Sequence, residues 1–537
     1  MAKIADFLRG KTLFITGSTG FLAKGLVEKI LCQVPEVGRL YLLIRPRRRP
    51  DRTVMSAEER LDREVLQSSV FDRLRARRGA GFEAFAREKV VAVAGDLAVE
   101  RLGLDAETYD RLAGEVQVVI SIAGTVVFDE PLDQALQSNT LGARRVVEFA
   151  KACREAIFLH VSTAYVSGKQ PGMAHEAPIL PGETVAHRLG RGGRDYDLDR
   201  EIEDILTFTR RVQEESHLPS VQDELRRLIR RQNGRTVSAH RMETLMEAAR
   251  HRWLRRRLVK EGMRRARSLG WHDSYTLTKA MGEQVIAKMR GDLPTVIVRP
   301  SIIESSLSDP EPGWLEGLKV ADPLIVHYSK GRLSDFPADP NVVLDVIPLD
   351  VVVNAMLAAL PGARRGGDIQ VYQVATGTEN PLKLGEMYRL IREYFQKNPV
   401  YTREGTPIPV PQWSFPSPGQ FRRRLRLRYQ IPLNTLQWLM ENLSALPWSA
   451  RLKRKVSMLG ATLDRVLSLA EIYSPYTNLK CRFETENTRR LFQGLDPEDQ
   501  KVFNFDVTRI DWREYIQDIH IPGLKRHVLK EAPYGTP

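Results

Sequence analysis

Residues 13–23 read Leu-Phe-Ile-Thr-Gly-Ser-Thr-Gly-Phe-Leu-Ala, and the fold is decided there. A β-rich run, Thr12–Thr16, stops at Gly17-Ser18-Thr19-Gly20, and an amphipathic helical pattern over Leu22–Leu31 follows at once. Glycines at such a junction permit a tight strand-to-helix turn. They also let a pyrophosphate approach the backbone at the positive end of the helix. A glycine-rich turn alone is weak evidence; its place at the first strand–helix junction gives it weight. Gly17, Ser18, Thr19, Gly20, Phe21 and Leu22 are therefore the expected contacts to a dinucleotide.

Outward from this turn, β-rich runs recur at Arg39–Ile44, Val90–Ala94, Val116–Ile120, Ile157–Val161 and Thr295–Val298, with helical stretches such as Leu132–Cys153 between them. Strands alternating with helices predict an α/β fold, a doubly wound parallel Rossmann sheet. From about residue 190 to 270 the pattern turns helical and strongly charged, then strand and helix signals resume after Trp271, so this stretch is a helical insertion. Residues 1–400 are thus expected to form the Rossmann domain. A Pro-rich linker over 401–420 and a mainly helical C-terminal domain over 421–537 follow.

The end of the second strand bears on which dinucleotide binds. An acid there would meet the ribose hydroxyls, whereas arginine accommodates a 2′-phosphate. Here the strand runs Leu42-Leu-Ile-Arg45-Pro-Arg-Arg48-Arg, without an acid in reach, which predicts NADPH held by Arg45 with Arg47 or Arg48 beside it. Asp96 and Leu97 after the third strand fit a contact at the adenine, and Ala123 and Gly124 after the fourth are small residues to lie against the cofactor.

Catalytic chemistry is signalled by Tyr275-Thr-Leu-Thr-Lys279 together with Ser162-Thr163 at the end of the fifth strand. Spacing of four puts Tyr275 and Lys279 on one helix face. An ammonium beside a phenol favours phenolate and draws its pKa down from about 10. Tyr275 can then give a proton to an oxygen that becomes negative as hydride arrives, while a hydroxyl, Thr163 ahead of Ser162, polarises that oxygen. A Tyr-x-x-x-Lys alone is common by chance; in this order after the glycine turn it is not.

Bulk properties limit the alternatives. The 537 residues are 42% hydrophobic, enough for a large core, and no apolar run approaches the roughly 20 residues of a membrane span. The first residues lack the pattern of a secretory leader, so a cytoplasmic protein is expected. Three cysteines lie far apart without metal-ligand or disulfide spacing, so no metal is expected. A net charge of +14 favours anionic partners. Nucleic acid is the poorest of these, because the basic insertion is short of aromatic residues for stacking and shows no recognition module.

Taken together, the motifs resemble one family, the alcohol-forming fatty acyl-CoA reductases of the extended short-chain dehydrogenase/reductase superfamily, and most of all its bacterial enzymes. The resemblance covers nearly the whole chain: Thr16-Gly-Ser-Thr-Gly-Phe-Leu22, Phe128-Asp-Glu-Pro-Leu132, Asn139-Thr-Leu-Gly142, His160-Val-Ser-Thr-Ala-Tyr-Val166, Val298-Arg-Pro-Ser-Ile302, Pro312-Gly-Trp-Leu-Glu-Gly317, Asp345-Val-Ile-Pro-Leu-Asp350 and Ile510-Asp-Trp-Arg-Glu-Tyr515. Ala23 departs from it where the family carries glycine. The resemblance implies fatty acyl-CoA and fatty aldehyde as substrates, two NADPH-dependent reductions, and release of CoA. It implies that Thr163 and Tyr275 hold the oxyanion, that Lys279 tunes Tyr275 and holds the nicotinamide ribose, and that Asn139 positions a water for proton resupply. Pro300 and Ile302 join the cofactor contacts. Trp314, Trp438 and Leu439 are candidates to line an acyl channel. Amphipathic runs near Leu436–Leu446 and Met458–Ile472 are candidates to touch a membrane surface, peripheral to the inner membrane. Rival readings are a reductase that stops at the aldehyde, a nucleotide-sugar epimerase or dehydratase, and a non-enzymatic scaffold.

Overall fold

The computed structural model describes residues 3–530 apart from 50, 192–195, 234–237, 320, 332–334, 403, 443–455, 457, 461–466, 468–469 and 471–472. Seven strands form one sheet: β1 (Leu13–Thr16), β2 (Leu40–Ile44), β3 (Val90–Ala94), β4 (Val118–Ser121), β5 (Ile157–Val161), β6 (Thr295–Pro300) and β7 (Gln370–Val374). Their order is β7-β6-β5-β4-β1-β2-β3, every pair parallel. The order turns back at β1 and β4, the switch point where such sheets bind ligands beyond the strand ends. Central strands β1, β2 and β4 are buried along their whole length. Burial on both faces is why they read as continuous apolar runs rather than alternating ones.

Six of the seven strands are those expected. The seventh, Gln-Val-Tyr-Gln-Val, breaks its apolar run with Gln373, and the side-chain amide is tolerated inside because it donates to the carbonyls of Ala174 and Glu484, each at 2.9 Å. On one face, Phe14, Val119 and Phe158 from the sheet pack with Val146, Val147 and Phe149 of helix α3. The helices used below are α1 (Phe21–Gln33), α2 (Ala106–Glu115), α3 (Gly142–Ala152), α4 (Leu198–Glu215), α5 (Pro219–Asn233), α6 (Ala239–Leu269), α7 (Ser274–Met289), α8 (Leu349–Ala359) and α9 (Leu384–Lys397).

The charged stretch is a helical insertion of α4, α5 and α6. Leu198, Ile202 and Ile205 of α4 join Trp271, Leu277 and Met281 in one buried cluster, so the insertion is packed against the helix that carries Tyr275. Gly270 closes α6 in a left-handed conformation with φ +94°, and a Cβ there would lie 2.6 Å from the Ala186 nitrogen, which leaves glycine as the one fit. Several insertion arginines are paired with acids, Arg265 with Glu201 and Glu261 and Arg257 with Glu215 inside the insertion, and Arg255 with Asp129 outside it.

The chain divides into two compact units that do not follow its order. One holds residues 1–314, 347–375 and 483–507; the other holds 315–346, 376–482 and 508–537. This differs from the expected cuts at 400 and 421. In the first unit the late segment is tied in by Glu176, whose carboxylate accepts from Thr488 Oγ1 at 2.9 Å and from the Gln373 nitrogen at 2.7 Å. In the second, the Pro-rich stretch is no free linker. Trp413 packs between Tyr328 and Tyr388 (ring centroids 4.8 and 3.9 Å), and the Tyr328 hydroxyl donates to the Pro411 carbonyl at 2.7 Å. Composition flagged the prolines but not the aromatic residues that fix them. Among the described residues no helix is long and apolar enough to cross a membrane.

Candidate active site

The glycine turn is built by close approach. Gly17 has φ +72°, and a Cβ there would lie 2.7 Å from the Ala123 nitrogen and 2.9 Å from its Cα. Conformation and space both demand glycine. The turn is pinned beneath by the Ser18 hydroxyl, which donates to the Ile15 carbonyl at 2.9 Å, and by the Thr16 hydroxyl, which accepts from the Ile122 and Ala123 nitrogens at 3.2 Å. Helix α1 starts at Gly20, which brings no side chain to cap it, so its first-turn N–H groups face the space a phosphate would take. This cradle fits a dinucleotide.

Behind the turn lies a residue that the sequence suggested for an acyl channel. Trp314 is fully buried, stacked on Phe21 with ring centroids 5.0 Å apart and an interplanar angle of 21°, and its indole N–H donates to Ser69 Oγ at 3.1 Å. It props the dinucleotide turn rather than lining a channel. Trp438 is 61% exposed, so it walls no enclosed channel either, and Leu439 is half-buried.

At the end of β2, Arg45 is 69% exposed and lies 3.7 Å from Asp96, so the two residues expected at the adenosine end are brought together. Asp96 also accepts from the Ala98 nitrogen, which shapes the turn after β3, and the Leu97 carbonyl is held by Arg145. Arg47 is paired with Glu64 and Arg49 with Glu59; Arg48 is exposed and without an ion-pair partner among the described residues. Arg45 and Arg48 are thus the two arginines least committed to acids.

The reactive groups converge where β5 ends. Asp273 caps α7 in a reciprocal box with Thr276, which sets Tyr275 in the first turn, buried, its ring edge-on to Phe128 at 6.0 Å. Burial pushes the phenol's pKa above its ordinary value, and the adjacent Thr163 hydroxyl pulls it back only in part. This departs from the expectation of a pKa drawn towards neutrality: desolvation of a phenolate outweighs the help available, so Tyr275 is held as a protonated donor. One turn on, the Lys279 ammonium donates to the Val161 carbonyl at 3.0 Å, and burial brings its pKa down to about 8. Thr163 Oγ1 also accepts from the Tyr165 nitrogen, whereas the Ser162 hydroxyl is buried with no partner among the described residues. Thr163 is the hydroxyl that meets the phenol.

Asn139 lies in a widened π-helical turn, Leu136–Leu141, ahead of α3. Such turns re-aim a side chain. Its Oδ1 accepts from the Thr125 nitrogen at 3.1 Å and its Nδ2 donates to Thr278 Oγ1 at 3.0 Å. A Cβ on Gly124 would lie 2.7 Å from Asn139 Oδ1 and 2.9 Å from Lys279 Nζ, so Gly124, Asn139 and Lys279 share one small volume. Pro300 and Ile302 follow at the end of β6, buried.

Sequence reasoning quoted two further groups inside its motifs without giving either a role. His160, in register with Ser121, is buried with Nδ1 3.2 Å from Ser121 Oγ, and burial with the Lys279 charge holds its pKa well below the ordinary value. Asp350 accepts from the Leu307, Ser308 and Asp309 nitrogens and so fixes the loop that leads to Trp314. Strand alternation could have placed His160, whereas the Asp345–Asp350 motif marked Asp350 without revealing the backbone nitrogens it clamps 41–43 positions away.

Sheet topology, glycine cradle and the hydroxyl–phenol–ammonium cluster define a nicotinamide-dependent oxidoreductase of the extended short-chain dehydrogenase/reductase kind. Two family models, both described as male sterility protein, match the chain, an NAD-binding one over residues 15–356 and one termed Sterile over 443–531. Fatty acyl-CoA reductase 1 of Arabidopsis thaliana is 39% identical over 539 residues, 98% of this chain and 99% of that one. The alcohol-forming fatty acyl-CoA reductase of Simmondsia chinensis is 34% identical over 540 residues, with 98% and 99% covered. The chain belongs to the fatty acyl-CoA reductase family. Among solved structures, the terminal reductase domain of the myxalamid PKS-NRPS pathway shares the fold, with a TM-score of 0.52 and 17% identity over 98% of this chain and 93% of that one.

Proposed function

We propose that this chain reduces a long-chain fatty acyl-CoA with NADPH to the aldehyde, releasing CoA, and then reduces the aldehyde to the primary alcohol. The observation that carries the reading is the convergence of Thr163, Tyr275 and Lys279 at the end of β5, beside the glycine cradle of β1, in a chain of this family. When bound, NADPH supplies one hydride in each reduction.

Everything else falls to the chain. Gly17–Leu22 hold the pyrophosphate at the start of α1, Arg45 and Arg48 meet the 2′-phosphate, and Asp96 and Leu97 border the adenine. Ala123 and Gly124, with Pro300 and Ile302, line the nicotinamide end, where Lys279 holds the ribose. Thr163 and Tyr275 donate to the carbonyl oxygen as it gains charge, which is where such donors act most strongly. In the first reduction the hemithioacetal collapses to aldehyde and thiol; in the second Tyr275 passes its proton to the alkoxide. Lys279 and a water at Asn139 resupply that proton. Cytoplasmic action beside a membrane, where acyl-CoA partitions, completes the reading.

The test is product analysis with a series of acyl-CoA chain lengths, each with NADPH and with NADH. Alcohol from long chains, formed much faster with NADPH, is expected. Aldehyde accumulating as the sole product would move the protein to the aldehyde-forming class, and no oxidation with any acyl-CoA would refute the reading.

A further inference from the structure

Within the second unit, a helical run from Pro418 to Asn442 presents two unlike faces. Phe421 is buried and Leu425, Leu433, Leu436 and Leu439 are half-buried. Within the α-helical part, Ile431–Asn442, Leu433, Leu436 and Leu439 lie on one side. On the opposite side of that part Ile431 is 45% exposed and Trp438 61%, and Leu427, in the widened turn Arg426–Gln430 before it, is 56% exposed. Ile431 and Trp438 fall within about 20° of one another around the axis, and Leu427 lies four residues ahead of Ile431 in the widened turn, so the three follow one another along the run rather than being scattered. Arg423, Arg424 and Arg428 border it, all exposed. Arg424 leans towards Asp335 at 3.8 Å, and Arg428 lies over the Tyr429 ring at 5.7 Å. Over the whole run, 418–442, the sequence contains five arginines and a single acid, Glu441.

We propose that the Leu427–Ile431–Trp438 stripe docks this chain on the surface of an anionic lipid bilayer. An exposed apolar stripe sinks only to the level of the headgroups, a tryptophan favours that boundary, and flanking arginines take up lipid phosphates and anionic headgroups. Charge selects the partner: a run with five arginines against one acid is repelled by basic surfaces and gains little on neutral ones. The stripe selects it again, because a soluble polyanion would use the arginines and leave Leu427 and Ile431 in water. These residues lie upstream of most of the runs that the sequence suggested for this role; of those, 443–446 and most of 461–472 fall outside the described residues.

The proposal goes beyond the catalytic reading and is measured without turnover. Full-length protein is sedimented with vesicles of phosphatidylcholine alone or with about one third phosphatidylglycerol, at low and high salt. Expected is a partition onto the anionic vesicles at least about tenfold above the neutral ones, largely lost in high salt. Leu427→Ser/Ile431→Ser should lower the partition at least about tenfold. Arg423→Glu/Arg428→Glu should lower it by about 25-fold or more, each arginine near an anionic surface being worth roughly fivefold. A thermal unfolding midpoint equal to that of the wild type certifies that each variant is folded. The proposal is overturned if the intact protein stays in the supernatant, binds neutral vesicles equally, or if a folded variant binds as the wild type does. A protein that sediments as predicted yet reduces no acyl-CoA would refute the proposed activity and leave this inference standing.

Discussion

Gly124→Ala places a methyl group where the structure has none to spare. The backbone there allows an L-residue, so the effect is purely one of space: the new Cβ would lie 2.7 Å from Asn139 Oδ1, 2.9 Å from Lys279 Nζ and 3.2 Å from Lys279 Cε. Asn139 cannot retreat freely, because Thr125 and Thr278 hold both ends of its amide. Lys279 can move only by giving up its 3.0 Å bond to the Val161 carbonyl. A hydrogen bond to a charged group is worth about 1.5–3 kcal/mol. At 1.36 kcal/mol per decade of rate, its loss in the transition state lowers kcat by about 10- to 100-fold. The assay pairs steady-state kinetics on a soluble aldehyde with thermal unfolding, against Gly114→Ala as a control. Gly114 lies in α2 with open space around its would-be Cβ, so that alanine should be neutral or stabilise by up to about 1 kcal/mol. Wild-type turnover in Gly124→Ala, or a loss of activity matched by an equal loss of fold, would refute the shared-volume argument.

Tyr275→Phe removes the proton donor and should lower turnover by about 10²- to 10⁴-fold, while NADPH binding, followed by fluorescence, stays close to wild type. Arg45→Ala should raise the KM for NADPH by about tenfold or more and leave that for NADH nearly unchanged, since only the former carries the 2′-phosphate; an equal change in both would remove Arg45 from that role. Glu176 is raised from 4.5 to about 7, chiefly by burial, against the hydrogen bonds that favour its carboxylate. Between these values the folded chain keeps a proton that the unfolded chain has released, so stability falls as pH rises from about 4.5 to 7, by about 3 kcal/mol at most. Glu176→Gln should flatten that slope in thermal melts, and an unchanged slope would show that another group sets it.

Why some of this was readable and some was not comes down to the range of the interactions. The β1 turn was legible because strand, glycines and helix are consecutive, and their chemistry is local. Tyr275 and Lys279 were legible because a helix fixes residues four apart on one face. The state of Tyr275 was not: its pKa depends on how far water is excluded, and the packing of Phe128 and Thr163 decides that. Gln370–Val374 was missed because Gln373 breaks its apolar run, and its partners Ala174 and Glu484 are distant in sequence. Trp314 was noticed but misplaced for the same reason. Its indole meets Ser69 and its ring meets Phe21, about 245 and 293 positions away, so spacing could not reveal that it supports the cofactor turn. The unit boundaries escaped the composition for a like reason, since Trp413 and Glu176 tie together segments that the chain order separates.

The central claim is that one site performs both reductions. With unlabelled long-chain acyl-CoA and NADPH carrying deuterium at both C4 positions, mass spectrometry of the alcohol tests it directly. Two deuterons on the carbinol carbon are predicted, with two NADPH oxidised per CoA released. Aldehyde bearing a single deuteron, with one NADPH per CoA and no alcohol, would contradict it.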